Sequence, residues 1–122
     1  MKRSRQPIPY GRQTISEEDI EAVIHVLRSE FLTQGSVVPA FESHISRTVG
    51  SKVCIAFNSA TSALHAACNS LKLTRGDWLW TSPNTFVASA NCALYCGASV
   101  DFVDIDPQTY CMSVERLEDK LK

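Results

Sequence analysis

The sequence predicts an α/β fold in which parallel strands are joined by crossover helices. Three observations lead there. Short apolar runs rich in β-branched and aromatic residues recur at 53–57, 78–81 and 100–103, as buried strands do. Between them lie residues at helical spacing: Leu64, Ala67, Cys68 and Leu71, then Val87, Ala90, Asn91 and Leu94. Turn residues separate the segments, so the order from Val53 onward is β-α-β-α-β-α. Right-handed crossovers between parallel strands close that order most economically.

Element by element, residues 1–13 are irregular, because Pro7 and Pro9 forbid helix and Gly11 permits a turn. Ser16 is placed to cap a helix whose first turn holds Glu17, Glu18 and Asp19, where the helix dipole favours negative charge. Ile20, Val23, Ile24 and Leu27 give that helix one buried stripe. Pro39 suits the first turn of a second helix, with Phe41, Ile45 and Val49 on its buried side and Gly50 at its end. These N-terminal helices, 16–50, precede the β-α-β-α-β-α segment, 52–122. In that segment 53–57 is the first strand and 58–61 a turn; Gly76-Asp77 breaks the chain before the second strand. Pro83-Asn84 is a loop, and Gly97 closes the following helix. After the third strand, 100–103, Asp106-Pro107 turns, and Ser113 caps a last helix with Leu117 and Leu121 one turn apart. Three strands are few for a sheet covered on both faces. The last helical pattern meets Lys122 without a closing Gly or Pro. The expectation is a single partial domain, 1–122, cut from a longer chain.

Composition narrows the function. The chain has 122 residues, 44% hydrophobic and 20% charged, which suits one globular domain and excludes a disordered or low-complexity chain. Twelve basic against thirteen acidic residues give a net charge of −1, so neither nucleic acid nor an anionic membrane is an expected partner. No apolar stretch approaches the ~18 residues that a membrane span needs. Lys2, Arg3 and Arg5 precede no apolar run, so no export signal is read. Cys54, Cys68, Cys92, Cys96 and Cys111 form an odd set, mostly in apolar segments. They read as reduced, buried thiols and imply a cytoplasmic protein.

Chemistry concentrates after the first two strands. In Phe57-Asn58-Ser59-Ala60-Thr61-Ser62-Ala63-Leu64 a strand ends, a turn of small and hydroxyl residues follows, and a helix starts. Free amides at that start, with the Ser59 and Thr61 hydroxyls, make an anion site at the carboxyl end of a strand, suited to a phosphate. A plain helix cap by Ser59 or Thr61 explains the same residues. Phe86, in the loop Thr81-Ser82-Pro83-Asn84-Thr85-Phe86-Val87-Ala88, is placed to stack on a flat ring held by that phosphate; packing beneath a helix is the plainer alternative. Cys92 and Cys96 lack a third ligand at metal-site spacing and read as core residues. His25, His44 and His65 are scattered over three helices, and Asp101, Asp104 and Asp106 read as turn caps. No metal site is expected.

These residues, with Pro9-Tyr10-Gly11-Arg12-Gln13, Phe31-Leu32-Thr33-Gln34-Gly35, Phe41-Glu42, Gly76 to Asn91 and Gly97 to Asp106, resemble the DegT–DnrJ–StrS sugar aminotransferases. The resemblance implies the N-terminal part of the large domain of a type I aminotransferase fold that uses pyridoxal 5'-phosphate (PLP). It implies that Ser59, Ala60 and Thr61 hold the PLP phosphate and that Phe86 stacks on the pyridine ring. By the same resemblance Tyr10, Glu30, Phe31, Leu32 and Thr33 line a nucleotide-sugar site that Ala60 also borders. The run from Asn58 to Leu64 and the Phe86 loop are most similar to the branch that moves an amino group from glutamate to the 4-keto carbon of a UDP-linked 6-deoxy-N-acetyl sugar, toward pseudaminic acid. Members of the family are homodimers. Their Schiff-base lysine sits in a Ser/His-rich motif that none of Lys2, Lys52, Lys72, Lys120 and Lys122 occupies. The resemblance therefore puts the catalytic lysine beyond residue 122 and makes this chain alone inactive. Two rival readings are a flavodoxin-like domain that cradles a flavin phosphate at Ser59-Ala60-Thr61-Ser62, and a non-catalytic remnant.

Overall fold

The computed structural model describes residues 9–122, which fall into two compact units, 9–54 and 55–122. The first unit is helical. Helix α1, Glu17–Leu27, starts at Ser16, whose side chain accepts the Asp19 amide while the Asp19 carboxylate accepts the Ser16 amide. This reciprocal cap satisfies two donors at once and fixes where the helix begins. Helix α2, Val37–Val49, carries Pro39 in its first turn and stops at Gly50, whose φ of 69° is the left-handed value that glycine adopts without strain.

The apolar stripes of these helices are not buried, contrary to the sequence expectation. No residue of α1 or α2 is buried, and Val23, Leu27, Phe41 and Val49 are all more than half exposed. Periodicity tells which side of a helix is apolar, not what covers it. Among described residues 9–54 there is no strand to receive the stripes.

The second unit supplies such a partner. Helix α3 is Ala60–Ser70, strand β1 Trp78–Thr81, helix α4 Ala88–Tyr95, strand β2 Ser99–Phe102 and helix α5 Val114–Leu121. Strands β1 and β2 pair in parallel, with Trp78 opposite Ser99 and Thr81 opposite Phe102. The Ser99 amide reaches the Asp77 carbonyl and the Val103 amide that of Thr81, extending the ladder at both ends. Helix α4 is the crossover and packs on both strands and on α3. The buried residues are mostly small: Cys68, Ala88, Cys92, Ala93, Ala98 and Val103. Small side chains let helix and sheet approach closely, at the cost of little buried apolar area.

Three expectations need correction here. Residues 53–57 form no strand of the described sheet. They keep the period of two, with Val53, Ile55 and Phe57 exposed and Cys54 and Ala56 half-buried. Composition favours extended backbone, but a strand exists only beside a neighbour, and β1 pairs with β2 instead. The unit's regular structure accordingly opens with α3. The buried face of α4 also differs: Val87 and Leu94 are more than half exposed, whereas Ala88, Cys92 and Ala93 are buried. The sheet and α3 come close enough to admit only the side of α4 built from Ala and Cys. The last strand lies one residue earlier than expected, at 99–102 rather than 100–103.

Candidate functional site

The start of α3 is set by Ser59. Its backbone is extended, its carbonyl accepts the Ala63 amide, and its Oγ accepts the Ser62 amide at 3.2 Å. The Ser59 and Ser62 hydroxyls share a further bond of 3.0 Å. The Ala60 and Thr61 amides precede the helical ladder, and the first turn holds no acidic residue. An anion at this end would meet amide donors, the positive end of the dipole and two hydroxyls, those of Ser59 and Thr61. The cap and the anion site are compatible: the Ser59 oxygen accepts the Ser62 amide, and its proton is free for an anion when Ser62 donates the hydroxyl–hydroxyl bond. Ser59 and Ala60 are exposed and Thr61 is half-buried.

Phe86 sits just before α4 and is 74% exposed, so its ring is not packed beneath a helix. Ser82 Oγ accepts the Asn84 amide, the Thr85 and Ser89 hydroxyls bond at 3.0 Å, and the Phe86 carbonyl accepts the Ser89 amide. Helices α3 and α4 touch through their C-terminal halves: the His65 ring meets Tyr95 edge-on at 5.3 Å, and Cys96 Sγ donates to the Asn69 side chain. Ser59 and Phe86 belong to the opposite, N-terminal ends of these two helices.

In the first unit Tyr10 is fully exposed, and 30–33 lie in the α1–α2 connection. A cleft of about 300 Å³ there is lined by Glu30 and Phe31, with His25, Ser29, Gln34 and Ser36. Leu32 and Thr33 are outside that lining. Sequence reasoning missed His25 and Gln34. The available signal was Gln34-Gly35: Gln34 has a φ of 57°, and a Cβ on Gly35 would stand 2.7 Å from the Phe31 carbonyl, so the loop closes tightly back toward α1.

The aspartates in and just after β2 serve structure. Lys120 Nζ bonds the Asp101 carboxylate at 2.6 Å and the Phe102 carbonyl at 2.8 Å, and the Lys120 hydrogen bond holds the Asp101 carboxyl below its ordinary range. Asp106 accepts the Thr109 and Gln108 amides, which lower its pKa, and Asp104 accepts the Ile105 amide. Among the described residues no three side chains form a metal-ligating group, and no helix is long and apolar enough to cross a membrane. Burial pushes the Cys68 thiol up to about 11, helped by Cys92. Of the lysines, Lys52 and Lys72 are exposed, Lys120 and Lys122 are paired with Asp101 and Asp119, and Lys2 lies outside the described residues.

A model of the DegT/DnrJ/EryC1/StrS aminotransferase family matches residues 13–122. A UDP-4-amino-4,6-dideoxy-N-acetyl-beta-L-altrosamine transaminase of Campylobacter jejuni is 44% identical over 98 residues, covering 80% of this chain and 26% of the relative. The spore coat polysaccharide biosynthesis protein SpsC of Bacillus subtilis is 37% identical over 111 residues, covering 91% and 28%. Spr1654 of Streptococcus pneumoniae, described as a sugar aminotransferase and solved in PLP and PMP forms, superposes with a TM-score of 0.85 at 30% identity. In its PLP form 92% of this chain and 29% of that one are covered. The chain thus spans under a third of the length of these relatives.

Proposed function

The chain belongs to the DegT/DnrJ/EryC1/StrS aminotransferase family, and from that premise we propose that it is the N-terminal part of the large domain of a PLP-dependent sugar aminotransferase. The observation that carries the proposal is the α3 start, where Ser59 caps the helix, the Ala60 and Thr61 amides precede the helical ladder and the first turn holds no acidic side chain. That donor set fits a phosphate dianion. The exposed Phe86 ring, at the start of the neighbouring helix, fits a flat aromatic ring. When bound, PLP supplies an electron sink for the carbon bearing the transferred amino group. This chain's residues bind and orient: Ser59, Ala60 and Thr61 fix the phosphate, and Phe86 limits the tilt of the ring. In this reading the imine-forming lysine comes from a segment outside these 122 residues, as the family resemblance implies, since none of the five lysines falls in the family's Ser/His-rich motif.

The acceptor in this reading is a UDP-linked 4-keto-6-deoxy-N-acetyl sugar and the donor is glutamate. The 44% identity to the Campylobacter transaminase supports it. Tyr10, Glu30, Phe31, Leu32 and Thr33, with Ala60, would line the sugar-nucleotide site, and the full-length protein would act as a homodimer. The test uses that full-length protein. Thr61→Ala and Phe86→Ala are expected to weaken PLP binding about tenfold each in an absorbance titration, the loss of one charge-assisted bond or one stack. Unchanged affinity in both variants, or a flavin spectrum in the purified protein, overturns the cofactor assignment. Glutamate-dependent amination of the keto sugar is the expected activity, and absence of turnover on that class of acceptor removes the substrate assignment.

A further inference from the structure

We infer that Ser89 is a positioning residue for the Phe86 ring and acts through Thr85. The inference rests on the reading of Phe86 as the stacking partner of the coenzyme. A phenyl group that is 74% exposed has few side-chain neighbours to hold it, and its staggered rotamers lie close in energy. A stacking ring is useful only if its Cα–Cβ bond is aimed beforehand, since ordering it on binding costs affinity. The backbone must therefore do the aiming.

The structure holds that backbone from the first turn of α4. Ser89 is half-buried in the first turn of α4, next to Ala88 and one turn from Cys92 and Ala93, all in the core. Its own carbonyl accepts the Cys92 thiol at 3.4 Å, and its amide donates to the Phe86 carbonyl at 3.0 Å. Its hydroxyl bonds that of Thr85, the residue just before Phe86, at 3.0 Å. Phe86 is thus clamped on both sides by one residue of a rigid helix: its carbonyl through the Ser89 amide, its preceding residue through the Ser89 hydroxyl. Val87, at the helix cap position, offers no side-chain bond of its own, so the Ser89 hydroxyl is the side-chain tie for this corner. Without it the Thr85–Phe86 peptide is free to rock while the helix stays in place.

The experiment compares Ser89→Ala, Ser89→Thr, Thr85→Ala, the Thr85→Ala/Ser89→Ala double variant and Phe86→Ala in the full-length protein. PLP is the probe, read by its dissociation constant and by the circular dichroism of its absorption band, which reports ring orientation. Ser89→Ala and Thr85→Ala are each expected to weaken PLP about threefold to tenfold, the worth of one hydrogen bond, and to reduce the dichroic band. The double variant should be no worse than either single one, because both break the same bond. Ser89→Thr, which keeps the hydroxyl, should restore both readouts. If Phe86→Ala changes neither readout, the stacking assignment fails. If Phe86→Ala changes both while Ser89→Ala and Thr85→Ala change neither, this inference alone is overturned. Thr85 is exposed, so its variant decides the matter should Ser89→Ala fail to fold.

Discussion

Both units of the chain are built around helices, yet among the described residues only the second has buried side chains. In the first, α1 shows an apolar stripe at i, i+3, i+4 and i+7 and α2 one at i, i+4 and i+8, and both bury none of their residues. In the second, α4 has hardly any stripe of large residues and buries Ala88, Cys92 and Ala93. Burial follows from the neighbour more than from the helix. A parallel strand pair with its crossover forces α4 against the sheet, and α3 closes the other side.

Thiol chemistry probes that difference most sharply. Cys68 lies in the core of the second unit, whereas Cys111 is exposed. A thiol raised to about 11 from 9.0 holds about one hundredth of the thiolate at a given pH, and only thiolate attacks an aromatic disulfide reagent. In the native 122-residue chain at pH 8, Cys68 should therefore react roughly an order of magnitude or more slower than the exposed Cys111, with denaturant abolishing the gap. Equal rates under native conditions would mean that the core is open.

Truncation of side chains is the next test. Val103 is 2% exposed, so Val103→Ala should cost about 2 kcal/mol in urea unfolding, from lost transfer energy and a residual cavity. Phe41 is 54% exposed, and Phe41→Ala should cost under about 1 kcal/mol although more atoms are removed. The comparison between the units breaks if Phe41→Ala proves the costlier.

A smaller effect belongs to the first unit's own device. Ser16→Ala removes the side-chain half of the reciprocal cap at α1 and should cost about 1 kcal/mol of helix stability, visible as a loss of helical circular dichroism. Ser113→Ala at α5 should behave alike, since Ser113 accepts the Arg116 amide in the same way.

These devices were also the readable part of the sequence. Ser16, Ser59 and Ser113 mark helix starts because a hydroxyl that satisfies an orphan amide is a local matter, decided within three residues. Gly50 and Gly97 mark helix ends for an equally local reason, a positive φ. Strands 78–81 and 99–102 were legible because their crossover is short and packs on both. What depended on distant partners was not legible. Residues 53–57 carry the composition of a strand, and nothing in their own sequence names a neighbour. The buried side of α4 was misjudged because Val87 and Leu94 outweigh Ala88 and Ala93 in apolar bulk, while the space against the sheet suits the smaller pair. At the candidate site the helix start and the exposed Phe86 were legible. The Thr85–Ser89 bond and the participation of His25 in the α1–α2 cleft needed coordinates, since hydroxyl spacing alone does not fix where a loop folds back.

The weakest expected effect is a response to acid. The Asp101 carboxyl is lowered from 3.8, first by its hydrogen bond from Lys120 and then by the Phe102 amide. A carboxylate with a depressed folded pKa stabilises the fold above its unfolded value and loses that contribution as pH falls through the folded value. The tie between α5 and β2 should therefore be intact at pH 6 and weaken below about pH 4, and because Asp101 is solvent-exposed the change should be small. Asp101→Asn should flatten the pH dependence of unfolding in this range, because it removes the carboxylate whose lowered pKa produces it. In the first unit Asp19 is lowered by the Ser16 amide, so both carboxylates lose some stabilising contribution in acid, Asp19 as a helix cap and Asp101 as the partner of Lys120. High salt should thus weaken the Asp101 contribution and leave the Asp19 cap largely untouched, because a bond from a neutral amide is screened less than an ion pair. Equal salt sensitivity of the two would remove the distinction between an ion-paired and a capped carboxylate.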